Sequence, residues 1–264
     1  MQEPHTLNQN RLISLASGVC PEIKPEEFVN VCAQAGFDAA GIWFDVNSWT
    51  SATSDAVSRN LSSTGIKALD IEPIFLDIND DDGDQIIDIA AEIGALHALV
   101  VGRDIDFENF TTRFEQLCDR AAEYKIIVVC EFTRIYSIKS LTEALEVIRK
   151  VDRPNAGILV DNLHLARCNL EPSDLLDVDP KLLPYVQLSD SSAQPRGDLL
   201  FDARNDRCNP GEGELPIQDF LNSIPTYTPL SLEIRSAPLR EKFKDPVKRA
   251  QEVLKATKRV LNQD

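Results

Sequence analysis

A single (β/α)8 barrel, an α/β fold, is what this sequence predicts, and three observations carry the prediction. Eight short runs rich in Ile, Val and Leu recur along the 264 residues, the first seven begin 27 to 31 residues apart, and helix-period stretches lie between them. Most of the runs are continuous rather than alternating, as in strands covered on both faces. An open doubly wound sheet fits less well. It offers five or six strands, and its dinucleotide-binding form needs a glycine fingerprint after the first strand, where this chain reads SGVCPEIKP. With 43% hydrophobic residues the chain can fill one large core, so a single domain over 1–264 is expected, with 1–10 a flexible polar leader containing His5.

The first strand is LISLAS, from Leu12. Pro25 then opens a helix whose Phe28, Val29, Cys32 and Ala35 recur at threes and fours and whose stop is Gly36. AAGIWF from Ala39 is the second strand, and IKALDI from Ile66 the third, with Asp70 and Glu72 at its end. A helix over 84–93 stops at Gly94, and HALVVG from His97 follows, leading to Arg103. The stretch 107–124 aligns Phe110, Phe114, Leu117, Cys118 and Ala121 on one face, ahead of IIVVCE, which ends in Glu131. Ser140 followed by Glu143 is a capping box that starts a helix to 150. AGILVD from Ala156 ends in Asp161, with His164 three residues on. YVQLSD from Tyr185 carries Gln187 and Asp190, PLSLEI from Pro229 carries Glu233, with Arg235 just beyond, and a last helix covers 246–261. Only the gap between the last two strands breaks the rhythm. Residues 190–214 are polar and turn-rich, contain Arg196, Arg204 and Arg207, and read as a long functional loop.

Composition excludes several classes of partner. With 43 acidic residues against 27 Lys and Arg, the formal charge is −16. Nucleic acid and anionic membrane surfaces both draw on clustered Lys and Arg, so neither is expected as a partner. No apolar run has the length of a membrane span and the start is polar, so the expected location is cytoplasmic. The six cysteines form no CxxC pair and read as reduced thiols.

A barrel gathers its strand ends at one mouth. Glu131 follows Val-Val-Cys, Asp161 follows Ile-Leu-Val, and Glu233 lies between Leu232 and Ile234. Carboxylates in such settings are costly to bury unless paired or bound to a cation. Two glutamates, an aspartate and an amide oxygen form a hard donor set suited to Mg²⁺ or Mn²⁺. Each could instead cap the following helix or pair with Arg134 or Arg235. His164 stands close enough to serve the same site, or could be a buried helix-start histidine bonded to the backbone, whereas His97 reads as structural. With three histidines in the sequence, a zinc site built mainly from imidazoles is disfavoured. Trp43, Phe44, Trp49 and Phe75 could wall a substrate or simply pack under loops.

Taken in order, Glu131 in VVCEFTR, Asp161 and His164 in LVDNLHLAR, PGEGELP at 210–216 and Glu233 in LSLEI resemble the xylose isomerase-like barrel superfamily, and within it the sugar phosphate isomerase/epimerase group. The resemblance spans nearly the whole chain. It implies a divalent metal, Mn²⁺ or Mg²⁺, on Glu131, Asp161, Gln187 and Glu233, with Gln187 standing where the family has a histidine. It implies that Glu131 and Glu233 exchange protons with a sugar, ketose or cyclic polyol through an enediolate. His164 and Arg207 would contact substrate, with Arg204 or Arg196 as substitutes for Arg207; Glu72, Arg103 and Trp43, at strand ends, are further substrate-binding candidates. The implied reaction is isomerisation or epimerisation. Dehydration of an inosose- or dehydroshikimate-like substrate is the alternative, and non-catalytic binding a second one. Family members are often dimers or tetramers, so a homo-oligomer is also implied. The endonuclease IV branch, with its trinuclear zinc site and DNA grip, conflicts with three histidines and a charge of −16.

Overall fold

The computed structural model describes residues 11–78 and 82–262, so the leader and His5 lie outside the described residues. All eight expected strands form: β1 (Ile13–Ala16), β2 (Ala39–Trp43), β3 (Lys67–Asp77), β4 (His97–Asp104), β5 (Ile127–Glu131), β6 (Ala156–Asp161), β7 (Val186–Leu188) and β8 (Leu230–Leu232). Each pairs in parallel with the next, and β8 returns to β1 with Ser14 opposite Ser231, closing the barrel. The helices are α1 (Pro25–Ala35), α2 (Ser51–Thr64), α3 (Gly83–Ile93), α4 (Phe107–Ala122), α5 (Leu141–Val151), α6 (Asn162–Arg167), α7 (Leu199–Asn205), α8 (Ile217–Asn222), α9 (Ala237–Lys242) and α10 (Pro246–Val260).

The strands read as continuous apolar runs because both of their faces are buried. One face meets the helices in a core that includes Phe28, Phe110, Phe114 and Val253. The other fills the lumen, where Leu69, Leu99, Val129, Leu159 and Tyr185 pack together. No described helix is long and apolar enough to cross a membrane. All six cysteines are free, and four are buried.

Three features depart from the sequence expectation. Strand β3 runs five residues past Glu72, so Asp70 and Glu72 lie within it rather than at its end. Helix α2 escapes a periodicity search because only Ser54, Val57 and Leu61 on it are buried; its ends define it, through the reciprocal Thr50/Thr53 cap and Gly65 at φ 77°. The connection after β7 is not irregular, since it contains α7 and α8.

Polar hubs hold that connection. The Asp190 carboxylate accepts the backbone N–H groups of Ser191, Gly211, Gly213 and Leu215 at 2.8–3.0 Å. A Cβ on Gly213 would collide with that carboxylate, which accounts for the second glycine of PGEGELP. Arg167 on α6 donates Nε to Asp202 Oδ2 at 2.8 Å and its other nitrogens to the Ala193 and Ser192 carbonyls. Both members of this pair are buried, so α7 is tied down from below.

Candidate active site

Strand ends and the first turns beyond them supply the site. Glu131 is the last residue of β5, and Asp161 the last of β6. Asp161 also caps α6, its Oδ1 accepting the N–H groups of Leu163 at 2.7 Å and His164 at 3.4 Å. This cap turns the His164 ring back toward the strand ends, with Nδ1 3.1 Å from Thr133 Oγ1 and Nε2 3.9 Å from Glu131 Oε1. One donor atom each from Glu131, Asp161 and His164 lies within 4.8 Å of the others, an arrangement able to hold a metal ion.

Glu233, just past β8, belongs to the same cavity but has different neighbours. Its Oε2 meets Arg207 Nη2 and its Oε1 meets Arg235 Nε, both at 2.9 Å. Arg207 is 2% exposed and also donates to Asp161 Oδ2 at 2.6 Å, Ser189 Oγ at 3.1 Å and the Ala203 carbonyl at 2.8 Å. Gln187 donates Nε2 to Glu72 Oε2 at 3.2 Å, and its Oε1 has no hydrogen-bond partner among the described residues.

These neighbours set the proton affinities. Burial first, and then the charges of Glu233 and Asp161, push Glu131 well above the usual carboxylate range. Asp161 is equally buried, but Arg207 and His164 outweigh desolvation and hold it below that range. Burial lowers the His164 imidazole despite Asp161, so the ring is neutral near pH 7. Glu72 is raised by burial, by Asp70 and by Glu233, against Arg235.

Most of the expected residues meet in one cavity: Trp43, Glu72, Glu131, His164, Gln187, Arg204, Arg207 and Glu233 all line it, and Asp161 lies behind Arg207. Two arginines are not brought there. Arg103, one of the two exposed residues that end β4, lies over the Phe75 ring and pairs with Asp77 at 3.3 Å, in an adjoining cavity. Arg196 is exposed and pairs with Asp206 at 3.6 Å. Phe44 and Trp49 pack on each other, whereas Trp43 and Phe75 face the cavity. Sequence reasoning missed Tyr136, Leu200 and Ala203 on the same wall. The pattern TRIYS after the fifth strand was the one signal that could have pointed to Tyr136.

The residues present suit a hard divalent cation: buried carboxylates, an adjacent imidazole, and the orphaned Gln187 oxygen. A buried acceptor left unpaired costs about 1–3 kcal/mol, so a cation or water satisfying it is favoured. Arg207 contends for the same anions, since it already touches Asp161 and Glu233.

Known proteins share this architecture. A family model described as the xylose isomerase-like TIM barrel matches residues 29–260. A 3-dehydroshikimate dehydratase of Pseudomonas putida is 30% identical over 116 residues, covering 41% of this chain and 18% of that protein, so the match is a minor part of the relative. The IolI protein with a binding zinc atom superposes with a TM-score of 0.81 at 18% identity, over 96% of this chain and 98% of that one. D-allulose 3-epimerase from Methylomonas sp. in complex with D-allulose gives a TM-score of 0.71 at 17% identity, over 94% and 97%. At these identities the two structures establish a shared fold.

Proposed function

The chain belongs to the xylose isomerase-like TIM barrel family, and on that premise we propose that it removes a proton beside a carbonyl of a polyhydroxylated small molecule and expels the β-hydroxyl as water. The observation that carries this reading is the unequal setting of two glutamates in one cavity. Glu233 is pinned by two guanidinium groups, while Glu131 has no arginine at hydrogen-bond distance among the described residues. Epimerisation by a pair of carboxylates needs both to trade protons with carbon. Here one side is built as a base and the other as a fixed anion, which suits elimination better. The dehydratase activity of the Pseudomonas putida relative supports the same outcome.

Glu131 takes the α-proton at a carboxylate oxygen as the C=C bond forms, and returns that proton on the same face to the departing hydroxyl. The net change is loss of one water. His164, tethered to Thr133, stands beside that carboxyl with Nε2 3.9 Å from Glu131 Oε1. Glu233, Arg207 and Arg235 fix the opposite wall and the charge balance. A divalent ion, Mn²⁺ or Mg²⁺, held by Glu131, Asp161, Gln187 and Glu233 beside His164 would polarise the substrate carbonyl and stabilise the enolate. Trp43 and Phe75 add aromatic surface to the cavity.

Epimerisation or isomerisation of a ketose on the same residues is the second reading, supported by the fold shared with D-allulose 3-epimerase. Manganese-loaded protein supplied with 3-dehydroshikimate is expected to accumulate an aromatic dihydroxy acid, read by ultraviolet absorbance. Exchange of a ketose C–H with solvent but no elimination would favour the second reading. Neither process, across a panel of ketoses and cyclic polyols, would leave a binding protein.

A further inference from the structure

The cavity wall carries three arginines, and their bonding is unequal. Arg207 spends its guanidinium on Asp161, Glu233, Ser189 and the Ala203 carbonyl. Arg235 is shared between Glu233 and the Trp43 ring, 5.2 Å from its centroid. Arg204 has no carboxylate partner among the described residues; its one hydrogen bond runs from Nη2 to the Tyr136 hydroxyl oxygen at 3.4 Å. That hydroxyl accepts from Arg204, and its own proton meets no acceptor among the described residues. A guanidinium and an O–H donor therefore stand side by side at the mouth with their donor capacity unspent.

The Arg204 side chain is exposed at the mouth, but the helix that carries it and the Tyr136 ring are held in place. Arg204 lies on α7, which Arg167 anchors through buried Asp202 and Arg207 anchors through the Ala203 carbonyl. Tyr136 packs edge-on against Phe75 with ring centroids 5.8 Å apart. A cation and a hydroxyl on anchored elements, side by side, are what a carboxylate needs.

Resting on the function proposed above, we infer that Arg204 and Tyr136 form an anion subsite that selects substrates bearing a carboxylate. One unpaired guanidinium and one neutral hydroxyl match a monoanion. A dianionic phosphate fits poorly: Glu72, Glu131 and Glu233 share the cavity, and Arg204 stands in the last turn of α7, the negative end of the helix dipole. Neutral ketoses leave this pair unused, so the subsite separates a carboxylated cyclic substrate from a simple sugar.

Calorimetry on the manganese-loaded full chain tests this without turnover, with 3,4-dihydroxybenzoate against its neutral twin 3,4-dihydroxybenzamide. The acid is expected to bind more tightly. Arg204→Leu should weaken it about 10- to 100-fold and Tyr136→Phe about three- to tenfold, while the amide is unmoved by either change. Arg204→Lys should restore part of the loss, because it keeps the charge without the fork. Inorganic phosphate should not compete at equal concentration. Equal binding of acid and amide, or an acid affinity indifferent to Arg204→Leu, overturns the subsite, as does effective competition by phosphate. Arg204-dependent binding of the acid in a protein that neither exchanges nor eliminates sustains the subsite and removes the enzymatic reading.

Discussion

From β1 through α5 the strands are 4 to 11 residues long and the helices 11 to 16, and all of those helices but α2 bury an apolar stripe. From α6 through α9 the helices shrink to six or seven residues, and β7 and β8 to three. The first region is held by side chains such as Phe28, Phe110 and Phe114, all buried. The second is held by buried ions: Arg167 with Asp202, Arg207 with Asp161 and Glu233, and Asp190 with four backbone amides. Ion networks place charged groups to within tenths of an ångström but leave large penalties when one member is lost. The cavity thus joins a wall from the first region, with Glu72 and Glu131, to one from the second, with Arg207 and Glu233.

The largest expected effect lies at the site. Glu131→Gln should cut turnover by about 10²- to 10⁴-fold with the fold intact by circular dichroism. Next comes Asp202→Ala, which strands the Arg167 charge and should lower stability by about 3–5 kcal/mol in urea unfolding. Phe114→Ala, in the first region, should lose a similar amount, about 3–5 kcal/mol, through an empty core volume. The comparison sharpens on rescue: removing Arg167 as well should recover much of the Asp202→Ala loss. If the double variant is no better than the single one, the pair is not the tie described.

A smaller effect should appear with pH. Burial pushes Asp70 up to about 7, with the Glu233 charge adding to it and the Tyr185 hydrogen bond opposing. The folded state thus keeps a proton that the unfolded chain releases near pH 4, so this group's contribution to stability falls as pH rises toward 7. Asp70→Asn should therefore gain stability relative to the parent across that window and then level off. Burial holds His97 at about 4, an opposite contribution that fades as pH drops below the ordinary histidine value, so the parent's own profile is flatter than either group alone would make it. Thermal melts of parent and variant from pH 4 to 8 read the difference. The smallest effect is Arg120→Ala, which removes an exposed pair with Asp88 on the first region and should leave the melting temperature unchanged.

The first region was the more legible in sequence, and for a physical reason. Strands buried on both faces are apolar at nearly every position, buried Asp70 and Glu72 of β3 apart, and helices with one buried stripe repeat at threes and fours, as α1, α3, α4 and α5 do. Glu131, Asp161 and Glu233 were legible too, because a carboxylate closing such a run is too costly to bury without a cation or an ion-pair partner. Strand-end position does not fix side-chain direction, however, so Arg103 reads like Glu72 although only Glu72 reaches the cavity. The short helices escaped because α7 is set by the Asp198 cap and the Arg167–Asp202 tie rather than by an apolar stripe. The Arg204–Tyr136 contact joins residues 68 apart, and no local pattern announces it.

On the proposed function, Glu131 removes a C–H proton beside a carbonyl. The direct measurement is proton NMR in D₂O of magnesium-loaded parent and Glu131→Gln with 3-dehydroshikimate, following loss of the α C–H signal. The parent should lose it with appearance of aromatic product, and the variant should be slower by at least about 100-fold. Loss at equal rates in both proteins would contradict the account.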